Sequence, residues 1–452
     1  MSTPVKVSVI GAGSAQFSLG LVRDLCLTDG LAGSQVSFMD INRERLDMIH
    51  KLASRYAGEL SADLRFESTT DRAIALQDAD FVINTVYVKG HHHARAARDL
   101  TAKHGYYYGG VGVGDTSQLQ IMLDVVRDME KICPDAWLIQ SGNPVYDGCT
   151  LMTRETDIKI CGLCHGHYGV YEIAQTIGLA HPERITWQAP GLNHNIWLTH
   201  FIYEGQDAYP LIDEWIETKG EEYWRTHTAD RTHDAQMSRA AMHQYRMHGL
   251  MPIGDTVRNG GWWYHTDLET KKRWFGEPFG GPDTELARPV YVENLEKRIA
   301  EMTRLTNDPA SSLVEAFGAE KTREQQVPII DGLVNDHEGQ FQVNVPNRGA
   351  LEGIPDDVVV ETPAIVNKKG IQPLRVGALP SKLMLNHILP DWLRMERNLL
   401  SFKTGDRSML LWDALNSHQT RSYDQAVDVL DDMLAMDGNR EMAEQFKFPT
   451  NW

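Results

Sequence analysis

The sequence predicts an α/β protein, a Rossmann-like doubly wound parallel sheet followed by a second, mixed α+β domain that closes a cleft against it. Three observations carry this. Strand-like and helix-like stretches alternate through the first 190 residues, the pattern of βαβ units. Residues 7–14 read Val-Ser-Val-Ile-Gly-Ala-Gly-Ser, an apolar strand entering a glycine turn that opens a helix. From about Gly191 the alternation gives way to an irregular stretch rich in Trp, Tyr and His. The expected division is residues 1–190 and residues 191–452.

Residues 5–10 supply the first strand. The turn after it, Gly11-Ala12-Gly13-Ser14, aims backbone N–H groups and a helix N-terminus at a pyrophosphate. The third glycine of the GxGxxG pattern is missing, so helix and strand are expected to pack slightly differently. A helix follows over 16–27, then a strand over 35–39 that ends at Asp40. Asp40 lies 27 positions after Gly13, where the usual interval is about 20, and an acid there accepts from ribose hydroxyls. A helix over 43–57, strands over 64–68 and 81–86, a helix over 117–131, and strands over 137–140 and 158–163 complete the alternation. Asn84-Thr85 and Ser141-Gly142-Asn143-Pro144 fall at strand carboxyl ends, where doubly wound sheets collect ligands. Later helices are expected near 293–304 and 380–401.

Size and composition bound the rest. A chain of 452 residues with 42% hydrophobic content buries a large core. A formal charge of −18 argues against nucleic acid and anionic membranes as partners. No run of about 18 apolar residues occurs, and Met1-Ser2-Thr3-Pro4 leads straight into the first strand, so a cytoplasmic location is expected. Five cysteines, an odd number, then read as reduced thiols.

Chemistry concentrates in a few segments. Cys164-His165-Gly166-His167 follows an apolar strand, and Gly191-Leu192-Asn193-His194 comes thirty residues later. A thiolate and an imidazole can hold a divalent transition metal with open positions for substrate oxygens. On spacing alone the other reading stands beside it, a buried strand-end cysteine and an ordinary loop histidine. His91-His92-His93 reads as a solvated or substrate-facing turn. Residues 251–267, which include Asp255, Arg258, Trp262, Trp263 and Tyr264, set aromatic faces beside a carboxylate, a phenol and a guanidinium, as a sugar site needs. Residues 343–349 offer another wall, with Arg348 able to fork onto an anion, or else a surface hairpin.

Taken together, the Ile10-Gly11-Ala12-Gly13-Ser14 start, the Asn143-Pro144 turn, Cys164-His165, Gly191-Leu192-Asn193-His194 and Asn344-Val345-Pro346-Asn347-Arg348-Gly349 resemble glycoside hydrolase family 4, over nearly the whole chain. That family requires NAD and a divalent metal, usually manganese, and departs from the two-carboxylate scheme of other glycosidases. The resemblance implies that Cys164 and His194 bind the metal. Gly11, Gly13, Ser14, Phe17, Asp40 and Asn84 line NAD, and Asn143 holds substrate hydroxyls. Asp255 and Tyr264 compete as the base, with Asp255 favoured by its Ile253-Gly254-Asp255 context, and His165 helps expel the leaving group or bind the sugar. Arg95 or Arg98 faces the sugar, joined by Arg258, Trp263 and Arg348.

The implied reaction begins with hydride transfer from C3 to NAD. The C2 proton is then removed, the aglycone is eliminated, water adds, and the hydride returns. His165 after the metal cysteine argues against a sugar phosphate, and Gly166 looks like the hexuronidase type, so α-galacturonides or α-glucuronides are the expected substrates. Sulfoquinovosides, with a sulfonate at C6, are the rival under the same mechanism. Resemblance also implies a homo-oligomer, a dimer or tetramer. From other classes, a 2-hydroxyacid dehydrogenase of the malate or lactate type shares the fold but needs no thiolate metal site. A nucleotide-binding module has little use for Cys164, His194 and Asp255 together.

Overall fold

The computed structural model describes residues 2–14, 18–107, 116–229 and 235–448. Its nucleotide-fold half runs β1 (Lys6–Ile10), α1 (Ser18–Cys26), β2 (Gln35–Met39), α2 (Arg43–Glu59), β3 (Arg65–Thr69), α3 (Arg72–Leu76), β4 (Phe81–Asn84), α4 (Gly90–Lys103), α5 (Thr116–Ile132), β5 (Trp137–Gln140), α6 (Val145–Glu155), β6 (Lys159–Gly162) and α7 (Tyr168–Ile177). Six parallel strands stand in the order β3-β2-β1-β4-β5-β6, so the chain reverses direction across the sheet between β1 and β4. That reversal opens a crevice at the strands' carboxyl ends.

These strands are apolar throughout because both faces are covered. Val82, Leu138 and Ile160 point into a core shared with α3, α5 and α6. Phe81, Ile83, Ile139 and Cys161 point into the opposite one, shared with α1 and α2. In α5 the apolar positions Leu119, Met122, Leu123, Val126 and Met129 recur at helical spacing and are all buried. The α2 helix starts where the Asn42 side chain accepts from the Arg45 N–H at 3.1 Å.

The expected second domain takes an unexpected form. Its strands extend the same sheet, which reaches twelve strands among the described residues. A small separate sheet comes first, β7 (Ile185–Gln188) pairing with β10 (His200–Tyr203) and β10 with β11 (Gln206–Asp207). Around it, β8 (Gly191–Leu192), β9 (Asn195–Leu198), β12 (Met251–Ile253), β13 (Gly339–Pro346), β14 (Val359–Asn367) and β15 (Gly370–Pro373) run antiparallel beyond β6. β13 attaches to β6 with Asn344 opposite Gly162. Both cores continue across this junction, one through Leu192, Trp197 and Val358, the other through Val343, Val345 and Val366. A third apolar cluster, around Ile196, Tyr264 and Phe275, supports the aromatic segment. A fourth packs the helix Tyr423–Ala435 against Tyr106, just past α4. No helix among the described residues is long and apolar enough to cross a membrane.

Candidate active site

Three loops converge beside the carboxyl end of β6. Cys164 and His165 follow that strand within three residues. The turn Asn193-His194 joins β8 to β9, with His194 in the left-handed region at φ 63. β12 leads through Gly254 to Asp255, which opens the short helix Thr256–Asn259. Backbone contact draws them together. A Cβ on Gly254 would stand 2.5 Å from the Gly166 Cα, and Gly254 has φ +60, so both space and conformation demand glycine. The Ile196 N–H donates to Thr256 Oγ1 at 2.8 Å and ties β9 to the same helix.

His194 Nε2 lies 3.2 Å from Asp255 Oδ2. Arg258 forks onto that carboxylate, its Nε and Nη2 each 2.9 Å from an oxygen. Burial alone would raise the Asp255 carboxyl, but the Arg258 guanidinium and His194 together hold it well below the usual carboxylate range. Burial pushes the Cys164 thiol up to about 12, and the Glu361 and Asp255 carboxylates add to that. A thiol in such surroundings becomes a thiolate only when a cation joins it. Cys164 and His194 therefore offer one sulfur and one nitrogen donor, types that a divalent transition metal takes. Among the described residues no three His, Cys, Asp or Glu side chains form a ready-made metal cluster. A cation here would rest on Cys164 and His194 and complete its shell from substrate or solvent. His165 Nδ1 pairs instead with Glu324 Oε1 at 3.1 Å.

On the nucleotide side, Gly11 has φ +85, and a Cβ there would meet the Val86 N at 2.9 Å. The Gly13 N–H donates to Asp40 Oδ2 at 2.8 Å, and a Cβ on Gly13 would lie 2.7 Å from the same oxygen. The acid that closes β2 is thus drawn against the glycine turn, and Ser14 donates back to the Gly11 carbonyl at 3.3 Å. This cradle fits a dinucleotide, because only hydrogen atoms on the two glycines leave the backbone open. Phe17 lies outside the described residues. Asn84 is fully buried, donating to Gln140 Oε1 at 3.0 Å and accepting from the Val86 N–H at 3.2 Å. Its amide pins the strand ends rather than facing the crevice.

The expected sugar-binding residues divide. Asn143 is exposed at the end of β5, on the strand next to β6. Trp263 is 38% exposed, at a lip of the aromatic segment, whereas Tyr264 beside it is fully buried. The Tyr264 hydroxyl engages His243 Nδ1 at 2.7 Å, and its ring centroid lies 4.9 Å from that of Trp274. Of the two competing bases, only Asp255 is placed with the imidazole of His194. Arg348 does not join the site. β13 runs antiparallel to β6 with Asn344 opposite Gly162, so the turn beyond Pro346 lies at the end of the sheet remote from Cys164. There Asn347 pins a hairpin, donating to the Leu351 and Ile354 carbonyls at 2.9 and 2.7 Å. The expectation of Arg348 in the sugar site is corrected by this register.

Arg258 leads to a second cluster. Its Nη1 donates to Asp283, a carboxylate only 1% exposed that Arg98 Nη1 also reaches and that Arg288 Nη2 reaches at 2.8 Å. A cavity of about 220 Å³ opens there, lined among others by Arg95, Arg98, Arg288 and Tyr107. Arg95 lies 3.8 Å from Asp99 one turn along α4, and Tyr107 donates to Glu285. Lys271, 1% exposed, places its Nζ 3.5 Å from the Asp283 carbonyl. Burial pulls its ammonium down to about 7, with Asp283 opposing and Arg258 and Arg98 assisting. Between that value and 10.5 the unfolded chain binds a proton that the folded chain does not, so stability rises with pH there. Below pH 7 the folded lysine carries the full cost of its buried charge. Lys271→Met should therefore raise the thermal midpoint by a few degrees at pH 6, with the gain shrinking towards pH 10. A gain independent of pH in thermal scans would contradict this.

Two carboxylates central to this geometry escaped the sequence reading. Glu361 sits 1% exposed on β14, where it accepts from Asn193 Nδ2 at 2.8 Å and from Gln342 Nε2 at 3.4 Å, bracing the turn that carries His194. A single charge interrupting Val358-Val359-Val360-Glu361-Thr362 was a usable signal. Asp283, in Gly280-Gly281-Pro282-Asp283, reads only as a loop residue.

Comparisons bear on both halves. The description "Family 4 glycosyl hydrolase" matches residues 6–179, and "Family 4 glycosyl hydrolase C-terminal domain" matches residues 189–420. An alpha-galactosidase of Bacillus subtilis is 27% identical over 393 residues, covering 84% of this chain and 85% of its own. An alpha-galacturonidase of Lachnoclostridium phytofermentans is 24% identical over 444 residues, 90% of each chain. A 6-phospho-alpha-glucosidase from gut microorganisms, solved in complex with NAD and Mn2+, shares the fold at a TM-score of 0.80 and 18% identity, over 98% of this chain and all of its own.

Proposed function

The chain belongs to family 4 of the glycosyl hydrolases, and from that premise we propose that it cleaves α-glycosides of a sugar with an anionic group at C6, a galacturonide or a glucuronide. One observation carries the substrate reading. The cavity lined by Arg95, Arg98, Arg288 and Tyr107, together with Asp99, Asp283 and Glu285, is joined through Asp283 and Arg258 to Asp255, so guanidiniums that an anion could share and a carboxylate that could accept a proton belong to one network. A planar carboxylate takes a guanidinium fork well. The alpha-galacturonidase among the relatives is consistent with this choice.

Gly11, Gly13, Ser14 and Asp40 would hold NAD, and Cys164 and His194 a divalent cation such as manganese, as in the structural relative. When bound, these groups supply a hydride acceptor for C3 and a Lewis acid for the C2 and C3 oxygens. The chain's own residues do the rest. Asn143, exposed at the neighbouring strand end, orients sugar hydroxyls, and Trp263 offers a face for the ring. Asp255, already ionised, takes the C2 proton, and the electron pair expels the aglycone from C1. His165, whose imidazole pairs with Glu324, would give a proton to the departing oxygen. Residues 1–190 thus supply the nucleotide cradle together with Asn143, Cys164 and His165, and residues 191–452 the base and the second metal ligand.

The test is nitrophenol release from α-galacturonide, α-glucuronide and α-sulfoquinovoside under reducing conditions, each with and without NAD and manganese. Cleavage of a uronide that requires both additions is expected. Faster cleavage of the sulfoquinovoside would replace carboxylate by sulfonate. Cleavage that persists after both groups are stripped would overturn the mechanism.

A further inference from the structure

We propose that Asp283 is a specificity-determining residue, a resident counter-ion that limits the cavity it lines to ligands carrying one negative charge. This rests on the anionic C6 reading above. The Asp283 side chain, 1% exposed, occupies the seat an anion would take among guanidiniums. One oxygen receives Arg98 Nη1 and Arg288 Nη2, the other receives Arg258 Nη1, and the backbone carbonyl faces Lys271 Nζ. The cavity wall holds Arg95, Arg98 and Arg288 against Asp99, Asp283 and Glu285, so its guanidiniums are already matched by carboxylates.

A carboxylate or sulfonate brings a single charge and shares Arg98 and Arg288 with Asp283. A phosphate monoester, dianionic above its second pKa of about 6, brings a second charge against the buried Asp283 carboxylate, which already engages Arg98, Arg258 and Arg288. Repulsion at such separations is large where water is excluded. The discrimination comes from a repulsive element inside the pocket, and that element is one atom group on one side chain.

Calorimetric titration of the protein loaded with NAD and Mn2+, at pH 8, would measure dissociation constants for D-galacturonate, D-galactose and D-galactose 6-phosphate. Wild type should bind galacturonate more tightly than the phosphate. In Asp283→Asn the ratio of the two constants should fall by about tenfold or more, whereas Asp283→Glu should keep it. General loosening of the site affects all three sugars and leaves the ratio in place. Arg288→Gln, which removes a cation, should move the ratio the other way, and it carries the test if Asp283→Asn does not fold. An unchanged ratio in folded Asp283→Asn, or Arg288→Gln moving the ratio in the same direction, overturns the proposal. If wild type instead binds galactose best, the uronide reading fails while the galactose to phosphate ratio in the variants still judges Asp283.

Discussion

Cys164→Ser should abolish glycoside cleavage and leave a folded protein that still binds NAD. Serine keeps the size of the side chain but not its thiolate, and an alkoxide is out of reach at neutral pH. Even outer-shell changes around a bound metal cost about 10–100-fold in affinity or activity, so loss of one of two protein ligands should exceed about 100-fold. The nucleotide cradle at Gly11, Gly13 and Asp40 is built from separate strands, β1 and β2, which β4 and β5 hold apart from β6. Parallel measurement of manganese affinity, nucleotide affinity and nitrophenol release checks this. Retention of full nitrophenol release would remove Cys164 from the chemistry and overturn the metal-dependent mechanism.

Asp255→Asn should lower kcat by about 10²–10⁴, the range that a positioned general base contributes. It should also suppress uptake of solvent deuterium at C2 of the released sugar. Tyr264→Phe should do neither. Its hydroxyl is spent on His243 within an apolar cluster, and losing one such hydrogen bond costs stability of about 1 kcal/mol. The deuterium measurement matters because a mere distortion would slow every step, whereas absence of the base isolates C2. Normal exchange in Asp255→Asn with none in Tyr264→Phe would exchange their roles.

How much of this was legible depended on how local the physics was. The parallel strands were readable because burial on both faces writes continuous apolar runs, as in Phe81-Val82-Ile83. The glycine turn was readable because backbone approach permits no other residue at Gly11. Cys164, His194 and Asp255 could be named from motif residues, but their meeting depends on the contact between Gly166 and Gly254, 88 positions apart in the chain. Tyr264 and Asp255 could not be separated by residue type, since a phenol and a carboxylate can each serve as a base. Arg348 misled because a basic residue in a glycine turn looks the same at either end of a sheet. Only the pairing of Asn344 with Gly162 tells which end it occupies.

The shared sheet also bears on how such a protein varies over generations. β13 and β14 lie between β6, which delivers Cys164, and β8, which delivers the turn of His194. A crossover that exchanged everything after residue 190 with a distant relative would have to preserve the match of Asn344 to Gly162 and of Glu361 to Gly191. Drift in either strand would misalign Cys164 and His194 at once. Loops such as the aromatic segment around Trp262 and Trp263 carry no such obligation. New sugar preferences should therefore accumulate there and around Asp283, while the frame between β6 and β8 is inherited as a block.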